Sequence, residues 1–369
     1  MDKLKQAREI IDEADRGIAA MFCKRMEAAR MIAEYKKERG LPIYDGDRER
    51  AVIEKNAACV PDPEIRGYYI SLLQSMMGLS RQYQSRLMEG LHVAYSGVEG
   101  AFADIAARRI FPTARHTGFE DFQAAYRAVE DGVCDCAVLP IENSYAGVVG
   151  QVMDLMFHGP LHVNGIYTLP VTQNLLGLEG ASIREIRRVI SHPQALGQCA
   201  AYLKKHGFET ASAVNTAVAA RQVAEAGDPA VAAIASAETA ELYGLEILDH
   251  DINESATNST RFAVFSRVES PAGEKKDDKF LLLFTVNDVA GALAKAINVI
   301  SDWGFNMKVL LSRPVQDKAW QYYFYVETEG DATSPEGRRM LALLSEQCET
   351  LKIAGHYARE ITLKGGDDA

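Results

Sequence analysis

The spacing of hydrophobic residues divides the chain into three successive patterns. Up to about residue 90, apolar side chains recur every three to four positions, which predicts amphipathic helices. From His92 to Arg267, short apolar runs of strand length alternate with helical patterns, which predicts an α/β domain. Residues 279–369 follow a polar, turn-rich linker at 268–278 and read strand, helix, strand, strand, helix, strand. This order predicts a ferredoxin-like α+β sandwich.

Three helices are expected in the all-α domain at residues 1–90. The first covers residues 2–38 without a proline and ends at Gly40-Leu41-Pro42, the second begins near Asp47, and the third begins at Asp62-Pro63 and reaches about Glu89. At ~1.5 Å per residue the first helix is about 50 Å long. Three helices of such unequal length do not form a compact bundle easily, so we expect dimerisation through the long helix.

Cations on the long helix are spread over more than one face. Arg25 and Lys36 return to nearly the same face, whereas Arg8 is rotated by roughly 100° from Arg25 and lies about 25 Å away. One small ligand cannot contact Arg8 and Lys36 of the same helix. These residues are therefore either ordinary surface charges or parts of a site shared between subunits.

Polar residues follow strand-like runs at three places in the α/β domain, which spans residues 91–267. The first is Pro140-Ile141-Glu142-Asn143-Ser144, after the apolar run at residues 134–139. The others are Ser191-His192-Pro193-Gln194 and Asn258-Ser259-Thr260-Arg261-Phe262. Each segment can be a helix cap or a strand start. Ligands in open α/β sheets bind beyond the carboxyl ends of strands, so the first segment is also a candidate site.

Composition narrows the classes of function. A net charge of -11 argues against a general nucleic-acid binder, because there is no basic excess to neutralise phosphates. The six cysteines are scattered rather than arranged as a disulfide framework or a metal site. The sequence has no GxGxxG or P-loop motif, no apolar signal region and no membrane-spanning run. We expect a cytoplasmic protein without a metal, a cofactor, a nucleic-acid partner or a membrane partner.

The helical domain resembles the all-helical chorismate mutase family, and the resemblance covers residues 1 to about 90. It implies that Arg8 of one subunit joins seven residues of the other, which are Arg25, Lys36, Asp45, Arg48, Glu49, Ser80 and Gln84. Rearrangement of chorismate to prephenate is unimolecular, so the site needs only to hold the dianion in a compact conformer and stabilise charge on the ether oxygen. The resemblance implies that arginines clamp the two carboxylates, that Lys36 and Gln84 face the ether oxygen, and that Glu49 accepts the substrate hydroxyl.

The α/β domain resembles prephenate dehydratases over about residues 92–267. Besides the three polar segments, it has the turn Gly97-Val98-Glu99-Gly100-Ala101-Phe102, with Val98 where the family usually carries proline. The resemblance implies two α/β lobes, like a periplasmic binding protein, with the cleft between them. Thr260 is then the group at the leaving hydroxyl, and Glu142 is the alternative acid. The remaining implied substrate-binding residues are Asn143, Ser144, Ser191, Gln194, Thr216, Arg261 and Phe262.

The C-terminal domain resembles the small-molecule-binding ACT domain that follows prephenate dehydratases. The resemblance rests on Gly291-Ala292-Leu293 and Ser312-Arg313-Pro314. The family's effector motif is Glu-Ser-Arg-Pro, and Leu311 occupies the glutamate position here. The resemblance implies that both segments bind phenylalanine as an effector. Gly291 has a structural interpretation as well, since a glycine permits close packing.

Together the three resemblances imply a bifunctional enzyme that converts chorismate to prephenate and prephenate to phenylpyruvate. We expect a homodimer or a dimer of dimers under feedback control by phenylalanine. Two alternatives remain open. The dehydratase could prefer arogenate, which shares the ring and the leaving hydroxyl of prephenate, or the two-lobed domain could sense an amino acid without catalysis.

Overall fold

The structure is a computed structural model that describes residues 3–255, 257–269, 278–316 and 320–363. The chain forms two compact units, Met1–His92 and Val93–Ala369. Of the expected linker at 268–278, residues 270–277 lie outside the described residues. In the part of the chain that is described, no helix combines the length and the apolar character that a membrane span requires.

The first unit consists of the three predicted helices, which are α1 (Lys3–Arg39), α2 (Gly46–Ala57) and α3 (Pro63–Glu89). The carboxylate of Asp45 caps α2 by accepting a hydrogen bond from the backbone amide of Arg48, and Asp62 caps α3 in the same way. Only Ala29 and Ala33 of α1 are buried in the single chain. Most of the apolar stripe that predicted this helix is therefore still exposed.

Within its described residues the second unit contains three sheets, and the first of them forms the first lobe. Its strands lie in the order β16, β5, β11, β3, β1, β2, with the short β4 paired to β3. The helices and strands of this lobe are β1 (His92–Ser96), α4 (Phe102–Ile110), β2 (Arg115–Phe119), α5 (Phe122–Glu130), β3 (Cys136–Asn143), β4 (Gly147–Val148), α6 (Gly150–His158), β5 (His162–Pro170), β11 (Ser259–Ser266) and β16 (Ile361–Thr362).

The sequence pattern had suggested that the segment Pro140–Asn143 lies beyond the end of a strand. In the structure this segment lies inside strand β3. Thr260 pairs with Asn143 and Arg261 with Glu142, but Phe262 pairs with Pro140, so the ladder contains a bulge. A proline has no backbone N–H to donate, and a bulge is one of the few places in a sheet where this loss is tolerated. The strand can therefore continue through Pro140 and carry Glu142 and Asn143.

The second sheet forms the second lobe, with strands in the order β10, β6, β9, β7, β8. The chain enters this lobe after β5 and returns to the first lobe before β11. The two crossing segments contact each other, because the amide of Val171 donates to the carbonyl of Asn258 at 2.9 Å. The lobe comprises β6 (Asn174–Gly177), β7 (Arg188–Ser191), α7 (Pro193–Gln198), α8 (Ala200–His206), β8 (Glu209–Ser212), α9 (Thr216–Ala226), β9 (Val231–Ala235), α10 (Ala237–Tyr243) and β10 (Glu246–Asp249).

The third sheet has the predicted ferredoxin-like order of elements. Its strands lie in the order β13, β14, β12, β15. The elements are β12 (Lys279–Thr285), α11 (Ala292–Asp302), β13 (Asn306–Pro314), β14 (Tyr322–Glu329), α12 (Pro335–Gln347) and β15 (Thr350–Tyr357).

Both faces of the third sheet are covered. Phe280, Leu282 and Phe284 of β12 share a core with residues of α11 and α12. Leu281 and Leu283, which alternate with them, belong to the core of the first lobe. This double burial explains the unbroken apolar run of β12. Gly355 of β15 approaches the first lobe so closely that an added Cβ would lie 2.0 Å from the carbonyl oxygen of Val163.

After β15 the chain returns to the first lobe. Strand β16 pairs in parallel with β5, with Ile361 opposite Tyr167 and Thr362 opposite Thr168. The sequence pattern did not predict this strand. It lies at the edge of the first sheet and places the residue before it, Glu360, within reach of Arg261 on β11.

Candidate active sites

The helical unit contains a cavity of about 320 Å³. Seven of the eight polar residues expected from the mutase resemblance line it, namely Arg25, Lys36, Asp45, Arg48, Glu49, Ser80 and Gln84. Arg8 is exposed and is not part of the lining. A single copy of the chain therefore brings together all of the expected site except Arg8.

Hydrogen bonds within this cavity hold several of its side chains. Arg25 donates to the hydroxyl of Ser80, and Lys36 Nζ donates to the carbonyl oxygen of Ile43 at 2.6 Å. Gln84 is 8% exposed, and its Oε1 has no hydrogen-bond partner among the described residues. A buried amide oxygen without a partner is costly, so a ligand donor at this position would be stabilising.

Arg81 is a cavity residue that the sequence pattern did not reveal. It lines the cavity and forms an ion pair with Glu49. The available signal was its place between Ser80 and Gln84 on α3, but a residue beside an i, i+4 pair belongs to a neighbouring face of the helix. Only the fold shows that α2 brings Glu49 within its reach.

In the α/β domain, Asn143 is the centre of the hydrogen-bond network that joins the expected site residues. Its Oδ1 accepts from the backbone amides of Tyr145 at 3.0 Å and Ala146 at 2.9 Å. These two donors fix the orientation of the side-chain amide, because only an oxygen can accept them. The Nδ2 group therefore faces Thr260, and it donates to Oγ1 of that residue at 2.9 Å.

This orientation determines what the Thr260 hydroxyl can do. Since Oγ1 accepts from Asn143, the hydroxyl proton is available to donate elsewhere. Thr260 is 8% exposed, so water competes little for that proton. The strand pairing of Thr260 with Asn143 on one side and Leu169 on the other fixes its backbone.

The second lobe contributes Gln194 to the same network. Its Nε2 donates to Asn143 Oδ1 at 3.1 Å. The neighbouring His192 is the N-cap of α7, since its Nδ1 accepts from the amide of Gln194, and burial lowers the pKa of this imidazole. Ser191 is completely buried, and its hydroxyl donates to the carbonyl oxygen of Ile234 at 2.6 Å. Ser191 and His192 therefore form hydrogen bonds with backbone groups and not with each other.

Glu142 accepts a hydrogen bond from the Arg261 guanidinium at 3.0 Å. The same guanidinium also binds Glu327 of β14 and Glu360 near the end of the described chain. Arg261 is thus surrounded by carboxylates, two of which come from segments that the sequence pattern had assigned to a separate domain.

The other expected dehydratase residues differ in accessibility. Ser144 is exposed, and its hydroxyl accepts from the amide of Ser259 at 3.0 Å, which ties the two strands together. Thr216 is 7% exposed in the first turn of α9, next to the N-cap Asn215. Phe262 is 1% exposed and is part of the interior.

The two segments of the expected effector site lie at different places. Gly291, Ala292 and Leu293 line a cavity of about 350 Å³ together with Trp320 and Tyr322. Gly291 has a φ of +83° at the N-cap of α11, which a glycine adopts without strain. Ser312, Arg313 and Pro314 do not line this cavity.

Arg313 instead binds Asp154 of α6 in the first lobe. Its Nε and Nη2 both donate to the Asp154 carboxylate, at 3.1 Å each. Tyr323 and Gln316 donate to the same carboxylate at 2.8 and 2.9 Å. The hydrogen bond to Asp154 raises the pKa of Arg313 further, although burial opposes it. The third sheet is thus connected to the first lobe by a second ion pair.

Two family models match the chain in the order of these sites. Chorismate mutase type II matches residues 7–85, and prephenate dehydratase matches residues 93–270. The chain is therefore an enzyme with a mutase unit and a dehydratase unit, which confirms both resemblances seen in the sequence.

Comparisons with whole proteins agree with this order. The chain is 31% identical to the bifunctional chorismate mutase/prephenate dehydratase of Aquifex aeolicus, over 98% of this chain and 99% of that one. A structure of prephenate dehydratase from Arthrobacter aurescens in complex with L-Phe is 27% identical, covers 73% of this chain and 90% of its own, and gives a TM-score of 0.68. A structure described as GqqA, a quorum-quenching acylase, is 33% identical, covers 72% of this chain and 97% of its own, and gives a TM-score of 0.67. The protein belongs to the family of bifunctional chorismate mutase/prephenate dehydratases.

Proposed function

We propose that the cavity of the helical unit binds chorismate and promotes its rearrangement by position and charge. Arg25 and Arg48 hold the two carboxylates, for which their planar donors are suited. Lys36 and Gln84 stabilise the negative charge that develops on the ether oxygen, and Glu49 accepts the substrate hydroxyl. Asp45 fixes the start of α2, and Ser80 fixes Arg25. The unpartnered Oε1 of Gln84 can accept only from a ligand donor such as the substrate hydroxyl, and the contact with the ether oxygen requires the Nε2 of the same amide.

The mutase site is completed by Arg8 of a second copy of the chain. The apolar stripe of α1 remains exposed, with Ile11 at 57%, Ile18 at 55% and Ile32 at 47%. Such a continuous apolar face is the kind of surface that a partner helix covers. A homodimer through α1, or a dimer of two such dimers, would bury this stripe and bring Arg8 to the cavity of its partner.

Mixed dimers test the shared site. Arg8→Ala and Arg25→Ala each remove mutase activity from a homodimer. A heterodimer of the two variants has one of its two sites with both arginines intact, so we expect about half of the wild-type activity, or about a quarter in a randomly mixed preparation of which half is heterodimer. The matched control is a heterodimer in which one chain carries both substitutions and the other none. In this control neither shared site keeps both arginines, so we expect no mutase activity. If the heterodimer of the two single variants recovers no activity either, the shared site is refuted.

We propose that Thr260 assists the departure of the ring hydroxyl in the dehydratase reaction. The observation that supports this role is the hydrogen bond from Asn143 to Thr260 Oγ1, which leaves the threonine proton available for the leaving oxygen. Loss of carbon dioxide gives the electrons that expel the hydroxide and form the aromatic ring. Glu142 is already an acceptor for Arg261, so we assign it to orientation rather than to proton donation.

The remaining residues of this site position the substrate. Asn143 and Gln194 bring the two lobes together at Thr260. Arg261 acts by holding Glu142. Ser144, Ser191, Thr216 and Phe262 shape the strand ends and the helix start around these groups.

Threonine variants distinguish this role from a structural one. Thr260→Val keeps the shape of the side chain and removes the hydroxyl, so dehydratase kcat falls by about a hundredfold or more. Thr260→Ser restores the hydroxyl and most of the activity. Mutase activity in the same preparations stays at the wild-type value. Dehydratase activity that survives in Thr260→Val would contradict the proposal.

Substrate trials separate the remaining alternatives for the dehydratase. Purified protein is given chorismate, prephenate or arogenate, and phenylpyruvate and phenylalanine are measured. We propose prephenate as the preferred substrate, so kcat/KM for prephenate exceeds that for arogenate. The reverse order would identify an arogenate dehydratase, and no turnover of either would indicate a sensor.

We further propose that the cavity at Gly291, Ala292 and Leu293 binds phenylalanine as a feedback effector. It is lined by Tyr322 and Phe324, which suit an aromatic ring, and α11 begins beside it, where backbone amides can receive a carboxylate. Ser312, Arg313 and Pro314 transmit the effect, because Arg313 contacts the first lobe. Binding of phenylalanine by calorimetry to wild type, and its loss in Leu293→Trp, tests this assignment.

A further inference from the structure

The guanidinium of Arg261 is fully occupied by protein carboxylates. Nε donates to Glu360 at 3.1 Å, and Nη1 donates to Glu142 at 3.0 Å and to Glu327 at 2.8 Å. Nη2 donates to Glu327 at 2.8 Å and to Glu360 at 3.3 Å. An arginine has five N–H donors, so these five bonds use all of them. A substrate carboxylate could bind Arg261 only if one of the glutamates left.

The three glutamates come from distant parts of the sequence. Glu142 lies on β3 beside Asn143, whereas Glu327 lies on β14 in the third sheet. Glu360 is placed by β16, which pairs with β5, and it also accepts a hydrogen bond from the Thr168 hydroxyl. The third sheet and the last described strand therefore meet the dehydratase site at one side chain.

Further hydrogen bonds and burial hold the cluster in place. The Glu327 side chain is 2% exposed, and the hydroxyls of Tyr325 and Tyr357 donate to it at 2.7 and 3.3 Å. Burial opposes the charge on Arg261, but the bonds and charge of Glu327 outweigh it and raise the pKa of Arg261. Burial likewise opposes the charge on Glu360, but the Thr168 hydroxyl and the Arg261 charge lower its pKa. Arg261 and Glu360 thus stay ionised near neutral pH.

We infer that Glu327 and Glu360 are positioning residues of the dehydratase reaction, which act by fixing Arg261 and, through it, Glu142. Arg261 follows Thr260 on β11 and is the cross-strand partner of Glu142. A guanidinium that is held on its far side by two carboxylates cannot swing toward the substrate or release Glu142. The inference rests on the proposed role of Thr260 and Glu142, and it extends the dehydratase machinery into the third sheet and the C-terminal strand.

Charge-neutral substitutions test the inference in the full chain. In Glu327→Gln and Glu360→Gln, we expect prephenate kcat to fall about tenfold or more because Glu142 loses its fixed position. KM stays within about twofold, since neither glutamate contacts the substrate. Mutase activity does not change. The matched control is Glu329→Gln. Glu329 lies on the same strand as Glu327, but its carboxylate binds Asn306 and Lys308 instead of Arg261. This variant keeps the wild-type kcat and KM.

A double-mutant cycle shows whether Glu360 acts through Glu142. If it does, Glu360→Gln has little further effect on kcat in a Glu142→Gln background, because the group that it positions is already changed. Independent, multiplicative effects would overturn the inference. Should Glu327→Gln fail to fold, as judged by circular dichroism, the more exposed Glu360 carries the test alone.

The outcomes also separate this inference from the proposed function. A wild-type protein that does not convert prephenate refutes the proposed function. A wild-type protein that does convert it, with unchanged kcat in both glutamine variants, refutes the positioning role alone. Equal loss of mutase and dehydratase activity in a folded variant would likewise refute it.

Discussion

The ion pair between Asp154 and Arg313 is the contact whose removal should weaken the second unit most clearly. Asp154 is 8% exposed and accepts four hydrogen bonds, two from Arg313 and one each from Tyr323 and Gln316. Asp154→Asn keeps the size of the side chain but removes its charge and replaces one acceptor oxygen with a donor. The substitution therefore leaves a guanidinium without its counter-ion at the boundary between two layers.

The magnitude follows from burial. Breaking a buried ion pair by removing one partner costs about 3–5 kcal/mol. The Arg313 side chain is 26% exposed, so water recovers part of the lost solvation. We therefore expect the free energy of unfolding of the second unit to fall by about 2–3 kcal/mol.

Tryptophan fluorescence during urea unfolding measures this change in the full-length enzyme. Both tryptophans, Trp303 and Trp320, belong to the second unit, so the signal excludes the helical unit. With a slope of about 3 kcal/mol per M urea, the midpoint falls by about 0.7–1 M. Asp131→Asn is the control, because Asp131 is exposed in the same lobe. A midpoint for Asp154→Asn no lower than that of the control would refute the reasoning.

Three further outcomes follow from contacts described above. Gly355→Ala destabilises the second unit by about 2 kcal/mol or more, because its Cβ meets the Val163 carbonyl and neither backbone can yield, and the same urea assay measures it. The pKa of Glu360 is lowered in the folded state, so its stabilising contribution is present above the unfolded pKa of about 4.3 and is lost as pH falls through the folded pKa. The difference in free energy of unfolding between wild type and Glu360→Gln therefore shrinks between pH 7 and pH 3. A difference that stays constant over this range would contradict the direction of the shift. Arg81→Met removes the partner of Glu49 and lowers mutase kcat about tenfold, with dehydratase kcat as the internal control.

The helices and the mutase cavity could be predicted because their signals are local. Helical periodicity and the caps at Asp45 and Asp62 are properties of neighbouring residues, and the structure shows α1, α2 and α3 close to the expected bounds. The polar positions on these helices needed only the fold to bring them together. Arg81 was missed because its partner, Glu49, lies on another helix.

The dehydratase region was harder to predict because its connections are long-range. Nothing in the local pattern around Pro140 shows that a bulge opposite Phe262 allows β3 to continue. The two-residue strand β16 has no periodicity of its own and exists only through its pairing with β5. The sequence likewise showed Ser312-Arg313-Pro314 as a motif, but not that Arg313 binds Asp154 on α6.

The hydrogen bond between the two crossing segments has a consequence for movement of the lobes. Val171 and Asn258 meet immediately beside the Thr260 strand end, so a rotation of the second lobe about these crossings moves Thr260 very little. Gln194 lies at the start of α7 in the second lobe and would travel with that lobe. Opening would thus break the contact between Gln194 and Asn143 but preserve the one between Asn143 and Thr260. The leaving-group donor stays aimed while substrate enters, and the Gln194 contact re-forms on closure together with the contacts between α10 and residues 99–109 of the first lobe.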